Sequence, residues 1–330
     1  MLDERKMAIL RAVVETYIET AEPVGSGAVG KAADLGVSSA TIRNELVQLD
    51  QQGYLTQPHT SAGRIPTDKG YRVFVDTLEE PGLESEQFQQ VKSFFDQTHG
   101  EIEEMLDRTS RLLSEMTGVA SVVVAPDRDS ATVRSVQLVA LAPRVVLAVV
   151  VLSDGTVEKG TIEAVDDLDE VQIAVAQGHL SAAMVGRAVS KSAAPSPSGN
   201  SAADRLVDSA RAVLTTPVES GDVYVGGRAI VAGAFPEIET VREVLGLLEK
   251  QLVVVTLLRD VLDRGLSVAI GNETGVDPLA DCSLVVAPYE VAGDQVGTIG
   301  LLGPTRMNYP NAMAAVAVVS QSLGKRLSDG

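Results

Sequence analysis

The sequence predicts a multidomain α+β protein that opens with a winged helix-turn-helix, and three observations predict it. The chain has 330 residues and is 45% hydrophobic, enough for two or three domains with cores of their own. Between Val37 and Arg72 an amphipathic helix pattern runs straight into a short, turn-rich ribbon. Farther on, apolar runs of strand length stop before residue 165 and resume after residue 265. An insertion into a sheet domain explains that interruption most simply.

The elements follow in order. Met7, Leu10, Val13, Val14, Tyr17 and Ile18 share one face of a helix over residues 2–20, which Pro23 and Gly25 end. A short helix from Ser26 to Asp34 is closed by Gly36. Ser38 or Ser39 caps a third helix that runs to Gln52 and stops at Gly53. Strands at Tyr54–Pro58 and Arg64–Thr67 flank the loop His59-Thr60-Ser61-Ala62-Gly63, which suits a hairpin.

Glu84–Thr117 carries a helical apolar stripe that Gly100 divides, and Val119–Ala125, Val133–Leu141, Val145–Leu152 and Val157–Ala164 read as strands. Their short spacing favours antiparallel pairing. Leu168–Ser190 reads as helix, Ser192–Ser201 as a Pro/Ser linker, and Ala202–Leu214 and Ile238–Asp263 as helix again. Strands at Leu266–Ile270, Ser283–Ala287 and Val296–Leu302 precede a last helix over Pro310–Leu327.

Composition sets the bounds on function. The longest apolar run, Val145–Leu152, is too short to span a bilayer, so the expectation is a cytoplasmic protein with no membrane partner. One cysteine, Cys282, and the scattered His59, His99 and His179 offer no disulfide framework, metal set or catalytic constellation. Neither an enzyme nor a bound cofactor is expected. The net charge is −18, yet residues 1–78 hold 8 Lys+Arg against 10 Asp+Glu, a net of −2. The acidity lies in the rest of the chain, so a DNA contact is confined to a local patch at the N-terminal end.

Phasing the third helix at 100° per residue puts Ile42, Leu46 and Leu49 on the inward face. Ala40, Asn44 and Gln51 fall opposite, flanked by Arg43, Val47 and Gln48. Arg can donate to guanine, Asn or Gln can bond adenine bidentately, and Ala or Val can meet a thymine methyl. An ordinary solvated face would carry more Lys and Glu. On this reading Ala40, Arg43, Asn44 and Gln48 read bases, while Ser39, Thr41, His59, Ser61 and Arg64 position the duplex. Arg64 is placed at the ribbon tip, with Lys69 and Arg72 adding positive charge beyond it.

Three segments carry a resemblance to a known family: VSSATIRNEL, GYLTQPHTSAGRIPTDKGYR and LLGPTRMNYP. They closely resemble the HrcA family of heat-inducible transcription repressors, over essentially the whole chain. The resemblance implies a homodimeric repressor binding an inverted-repeat (CIRCE-type) operator upstream of chaperone operons, with the GroE chaperonin as a modulating partner. It also implies a GAF-like antiparallel-sheet domain carrying an inserted α+β dimerising domain. The resulting division is 1–78 for DNA binding, 79–165 and 237–330 for the two parts of the GAF-like domain, and 166–236 for the insertion with its linker. One departure is Gly27, where the family usually has arginine; glycine weakens that helix by about 1 kcal/mol relative to alanine.

Two rival readings remain. Gly25-Ser-Gly27-Ala-Val-Gly30 fits a dinucleotide-binding spacing with Asp50 beyond it, but a helix precedes it where a strand is required. A small-molecule sensor is the stronger rival. Glu273 and Arg306 lie near the ends of predicted strands and are candidates for an effector or an interdomain contact.

Overall fold

The computed structural model describes residues 2–32, 36–59, 62–79, 82–98, 101–126, 132–153, 157–165, 167–188, 198–214, 223–235, 237–265, 267–291 and 293–329. The expectations for Ser61, His99, Gly100 and most of the linker fall outside them. The protein is α+β, with twelve α-helices and three antiparallel sheets among the described residues. None of those helices is long and apolar enough to cross a membrane.

The N-terminal unit begins with α1 (Glu4–Thr20), capped by the Asp3 carboxylate, which accepts from the Lys6 amide at 2.8 Å. Helices α2 (Ser26–Ala32) and α3 (Ser39–Gln51) pack on it through Val29, Ile42, Leu46 and Leu49, all buried. Strands β1 (Leu55–Thr56) and β2 (Ile65–Pro66) pair antiparallel, and Arg64 bridges back to Val24. A fourth helix, α4 (Asp68–Asp76), follows at once. The Thr67 hydroxyl caps it, accepting from the Gly70 amide at 3.2 Å. Tyr71, Phe74 and Val75, at i, i+3 and i+4, form its buried face.

Helices α5 (Ser85–Gln97) and α6 (Ile102–Thr117) lead into the larger sheet. Its strands are β3 (Ala120–Val124), β7 (Val223–Gly226), β8 (Val268–Ile270), β9 (Cys282–Val291) and β10 (Asp294–Pro304), in the order β7-β3-β10-β9-β8. Helices α5, α6 and α12 (Tyr309–Asp329) cover one face; α9 (Arg228–Ala234), α10 (Ile238–Leu248) and α11 (Gln251–Asp263) cover the other. Both faces are therefore apolar, and β3 is buried at every position.

The smaller sheet is a meander of β4 (Val133–Ala142), β5 (Val145–Leu152) and β6 (Val157–Glu163). Helices α7 (Glu170–Met184) and α8 (Ser201–Leu214) pack on one face of it. Gly160 is required there: a Cβ on it would collide with the Val213 side chain on α8. Burial alternates strictly along β5, so only one face is covered.

This corrects the expectation that the strands before residue 165 belong to the interrupted sheet. Only β3 does; the interruption begins after Val124, and β4–β6 share a core with α7 and α8. The alternation V-R-S-V-Q-L in β4 against the unbroken A-S-V-V-V of β3 reflects that difference.

The N-terminal unit does not have a core of its own. One continuous cluster runs from Ile9 and Leu49 through Tyr71 and Phe74 to Val91, Val285, Tyr309 and Leu323. Helix α4 is the element that joins the two parts, lying against β8 and the 3-10 turn Gly271–Thr274.

Candidate nucleic-acid interface

Helix α3 presents its surface as its phase requires. Ile42, Leu46 and Leu49 are buried, while Ala40, Arg43, Asn44, Val47, Gln48 and Gln51 are exposed. The side chains of Arg43, Asn44 and Gln48 make no hydrogen bond or ion pair with any described residue, so their donors and acceptors face solvent. The helix is capped by Ser38, whose Oγ accepts from the Thr41 amide at 3.2 Å and lies 3.0 Å from Thr41 Oγ1. Ser39 Oγ sits 3.3 Å from Ser26 Oγ, tying α2 to the start of α3.

The two carboxylates of α3 are both neutralised from within the unit. Glu45 is approached by Lys6 Nζ at 3.4 Å and by an Arg5 nitrogen at 3.9 Å. Asp50 Oδ2 lies 2.8 Å from Arg64 Nε. The exposed face of α3 is left with one formal charge, that of Arg43. A surface so arranged offers donors to base edges without repelling phosphate.

The ribbon differs from its expected form. Arg64 is not at the tip but at the base, where it exchanges backbone hydrogen bonds of 2.9 Å with Val24. Its side chain is 14% exposed and paired to Asp50, the N–H being poorly aligned for a hydrogen bond although the charges touch. Gly63 makes that three-stranded base possible, since a Cβ there would strike the Val24 backbone. His59 is exposed, and its carbonyl accepts from the Ala62 amide at 2.9 Å across the turn.

Lys69, which is exposed, and Arg72, which is half-buried, are also engaged by groups of the protein itself. Lys69 Nζ donates to the Gln52 carbonyl at 2.9 Å and lies 4.2 Å from the Tyr54 ring centroid. It thus closes the C-terminal end of α3, where a cation suits the helix dipole. Arg72 Nε donates to Glu273 Oε1 at 2.9 Å, one terminal nitrogen meets Glu273 Oε2, and the same nitrogen donates to the Val268 carbonyl at 2.7 Å.

Glu273 is thereby taken up. It also accepts from the Ile270 amide at 3.0 Å. Burial pushes its carboxyl up, but the Arg72 guanidinium and the Ile270 amide outweigh that and hold it below the ordinary carboxylate value. Arg306 is half-buried near Tyr71, whose hydroxyl is driven up first by burial and then by the neighbouring Tyr309. Cys282 is buried, and burial pushes its thiol up to about 12, with Asp281 adding to the shift. No set of His, Cys, Asp or Glu among the described residues is placed to hold a metal ion.

Sequence reasoning missed α4 and its contacts. The signal was present in Thr67 before Asp68 and in the i, i+3, i+4 spacing of Tyr71, Phe74 and Val75. The identity of Arg72's partner, 201 residues away, has no local signature.

The family model for the HrcA protein C terminal domain matches residues 103–313. The heat-inducible transcription repressor HrcA of Pseudarthrobacter chlorophenolicus is 38% identical to this chain, with 99% of each covered. That of Rhodococcus jostii is 38% identical with the same coverage. That of Thermobifida fusca is 36% identical, covering 99% of this chain and 98% of its own. A crystal structure at 2.2 Å resolution of a protein described as hypothetical shares the fold, with a TM-score of 0.67 and 22% identity over 100% of this chain and 99% of that one. On the extent of the family match and of the full-length relatives, this chain belongs to the HrcA family.

Proposed function

We propose that this heat-shock transcription repressor reads an inverted-repeat, CIRCE-type operator of chaperone genes as a homodimer. The observation that carries the reading is the outer face of α3. Its Arg43, Asn44 and Gln48 side chains are exposed and have no partner among the described residues, while the carboxylates on the same helix are neutralised. On this reading α1–α4 and the ribbon form a winged helix-turn-helix. Ala40, Arg43, Asn44 and Gln48 contact base edges, and Ser39, Thr41, His59 and Ser61 contact the backbone. Arg64 serves through Asp50, bracing the ribbon against α3.

The five-stranded sheet with its helices is the GAF-like body. The meander with α7 and α8, about residues 132–214, is the inserted dimerising unit. What supports this is the uncovered face of the smaller sheet, where Val145, Leu147, Val149 and Val151 of β5 form an apolar strip by register with Val139 and Val157, flanked by polar Gln137, Lys159 and Glu163. An apolar strip of that kind calls for a covering partner. Pairing it with its own copy gives the two-fold symmetry that an inverted repeat requires. The GroE chaperonin is the proposed modulator of the repressor.

Gel shifts of the full chain on a chaperone-operon promoter test the reading, with and without chaperonin. The expected result is a retarded band that depends on the inverted repeat and strengthens with chaperonin. Equal binding to a scrambled repeat would contradict operator reading, and indifference to chaperonin would remove that partner.

A further inference from the structure

We propose that Arg72 and Glu273 are a positioning pair for operator binding: they hold the DNA-reading unit at one angle to the body and thereby set the half-site spacing that the dimer accepts. The proposal rests on the repressor reading above. Arg72 belongs to the last helix of the reading unit, and Glu273 to the turn after β8, an edge strand of the large sheet. Their contact is two-pronged, with Nε on one carboxylate oxygen and a terminal nitrogen on the other. A planar fork on a planar carboxylate fixes direction as well as distance, which a lysine could not do. The terminal nitrogen that meets Glu273 also donates to the Val268 carbonyl, and the remaining one donates to Asp76 at 3.3 Å.

Two further contacts come from the same face of α4. Asp68 Oδ2 accepts from the Asn272 amide at 3.3 Å and from its side-chain nitrogen at 3.2 Å. Gly271, at φ +52°, lets the turn come this close, since a Cβ there would collide with the Asp68 carboxylate. Tyr71 lies on Tyr309, ring centroids 5.7 Å apart, as the apolar floor between the two polar links. Residues 68, 71 and 72 are spaced i, i+3, i+4, so one stripe of α4 meets the body at three points. Apolar packing alone would bury this seam; what the polar links add is a defined angle.

That angle matters because a two-fold dimer must present both copies of α3 to grooves a fixed distance apart. None of the seam residues shares the outer face of α3, so loosening the seam leaves the contacts to one half-site in place.

The test uses the full chain, wild type, Glu273→Gln and Arg72→Lys, each checked by thermal melting. Affinities are measured for a single half-site duplex and for inverted repeats whose spacer is lengthened or shortened base pair by base pair. The wild type should prefer one spacing by about tenfold or more, equivalent to about 1.4 kcal/mol. Both variants should keep half-site affinity within about twofold, yet let that preference fall to about threefold or less. Undiminished spacing preference in both variants would overturn the proposal, as would a parallel loss at every spacing and at the half-site. If the wild type binds neither the half-site nor any inverted repeat, the operator reading itself fails and the proposal with it.

Discussion

Helix α3 and helix α4 lie less than twenty residues apart in the chain and treat their polar side chains in opposite ways. On α3, Arg43, Asn44 and Gln48 are exposed and have no side-chain partner among the described residues. On α4, Asp68 and Arg72 are both engaged by residues some 200 positions away, and Tyr71 is buried beside them. A polar group left without a protein partner on the surface costs little, because water satisfies it; the same group in a seam costs free energy unless it is bonded. On the proposed function, the difference separates a surface kept open for DNA from a surface already committed to the body of the protein.

Four changes break or sharpen that contrast. The largest effect belongs to the inward side of α3. Leu49→Ala removes a fully buried side chain from the shared core and should lower stability by about 2–5 kcal/mol, read as a fall in both the head's and the body's melting. Two separate transitions, with only the first one shifted, would show that the core is less continuous than the packing indicates.

Next comes the outer side. Arg43→Ala should cost about 1–3 kcal/mol of binding to the cognate operator while leaving the melting temperature unchanged. A variant that melted earlier would mean that Arg43 supports the fold.

The seam should respond to acid. Glu273 is held below the ordinary carboxylate value by Arg72, so its contribution is fully present above that value and is lost as the pH falls through the lowered one. The gap in melting temperature between wild type and Glu273→Gln should therefore stay constant from neutral pH down to about 4.5 and narrow below it. A gap that narrows already between pH 7 and 6 would point to a different titrating group.

The smallest effect is at Tyr71, whose hydroxyl is buried without a hydrogen-bond partner among the described residues. Tyr71→Phe removes that unsatisfied group and should be neutral or stabilising by up to about 1 kcal/mol in thermal unfolding. A clear loss of stability would show that the hydroxyl is bonded after all.

What the sequence disclosed follows the same line. The inward and outward sides of α3 were legible because a helix of thirteen residues over a local core obeys its own period, and Ser38 caps it within three residues. The fates of Arg64, Lys69 and Arg72 were not. A sequence exhibits a cation but not the carboxylate or carbonyl that the fold brings to it: Arg64, expected at the ribbon tip, pairs with Asp50, Lys69 donates to a carbonyl while staying exposed, and Arg72 pairs with Glu273. The two sheets were confused for a related reason. Strand-length apolar runs indicate that a strand exists, while its sheet is decided by long-range pairing. Here the alternating pattern of β4 and β6 against the continuous one of β3 was the available clue. The short β7, only four residues long, gave too little pattern to be seen.

The central claim is that the exposed side of α3 reads bases, and Asn44 tests it most directly. Wild type and Asn44→Ala would be titrated against a panel of operators in which each base pair of the half-site is changed in turn, with random DNA alongside. The account predicts that Asn44→Ala loses about 1–3 kcal/mol on the cognate repeat and none on random DNA, with discrimination erased at one position and its symmetry mate. An equal loss on cognate and random DNA, with the base preferences unchanged, would contradict it.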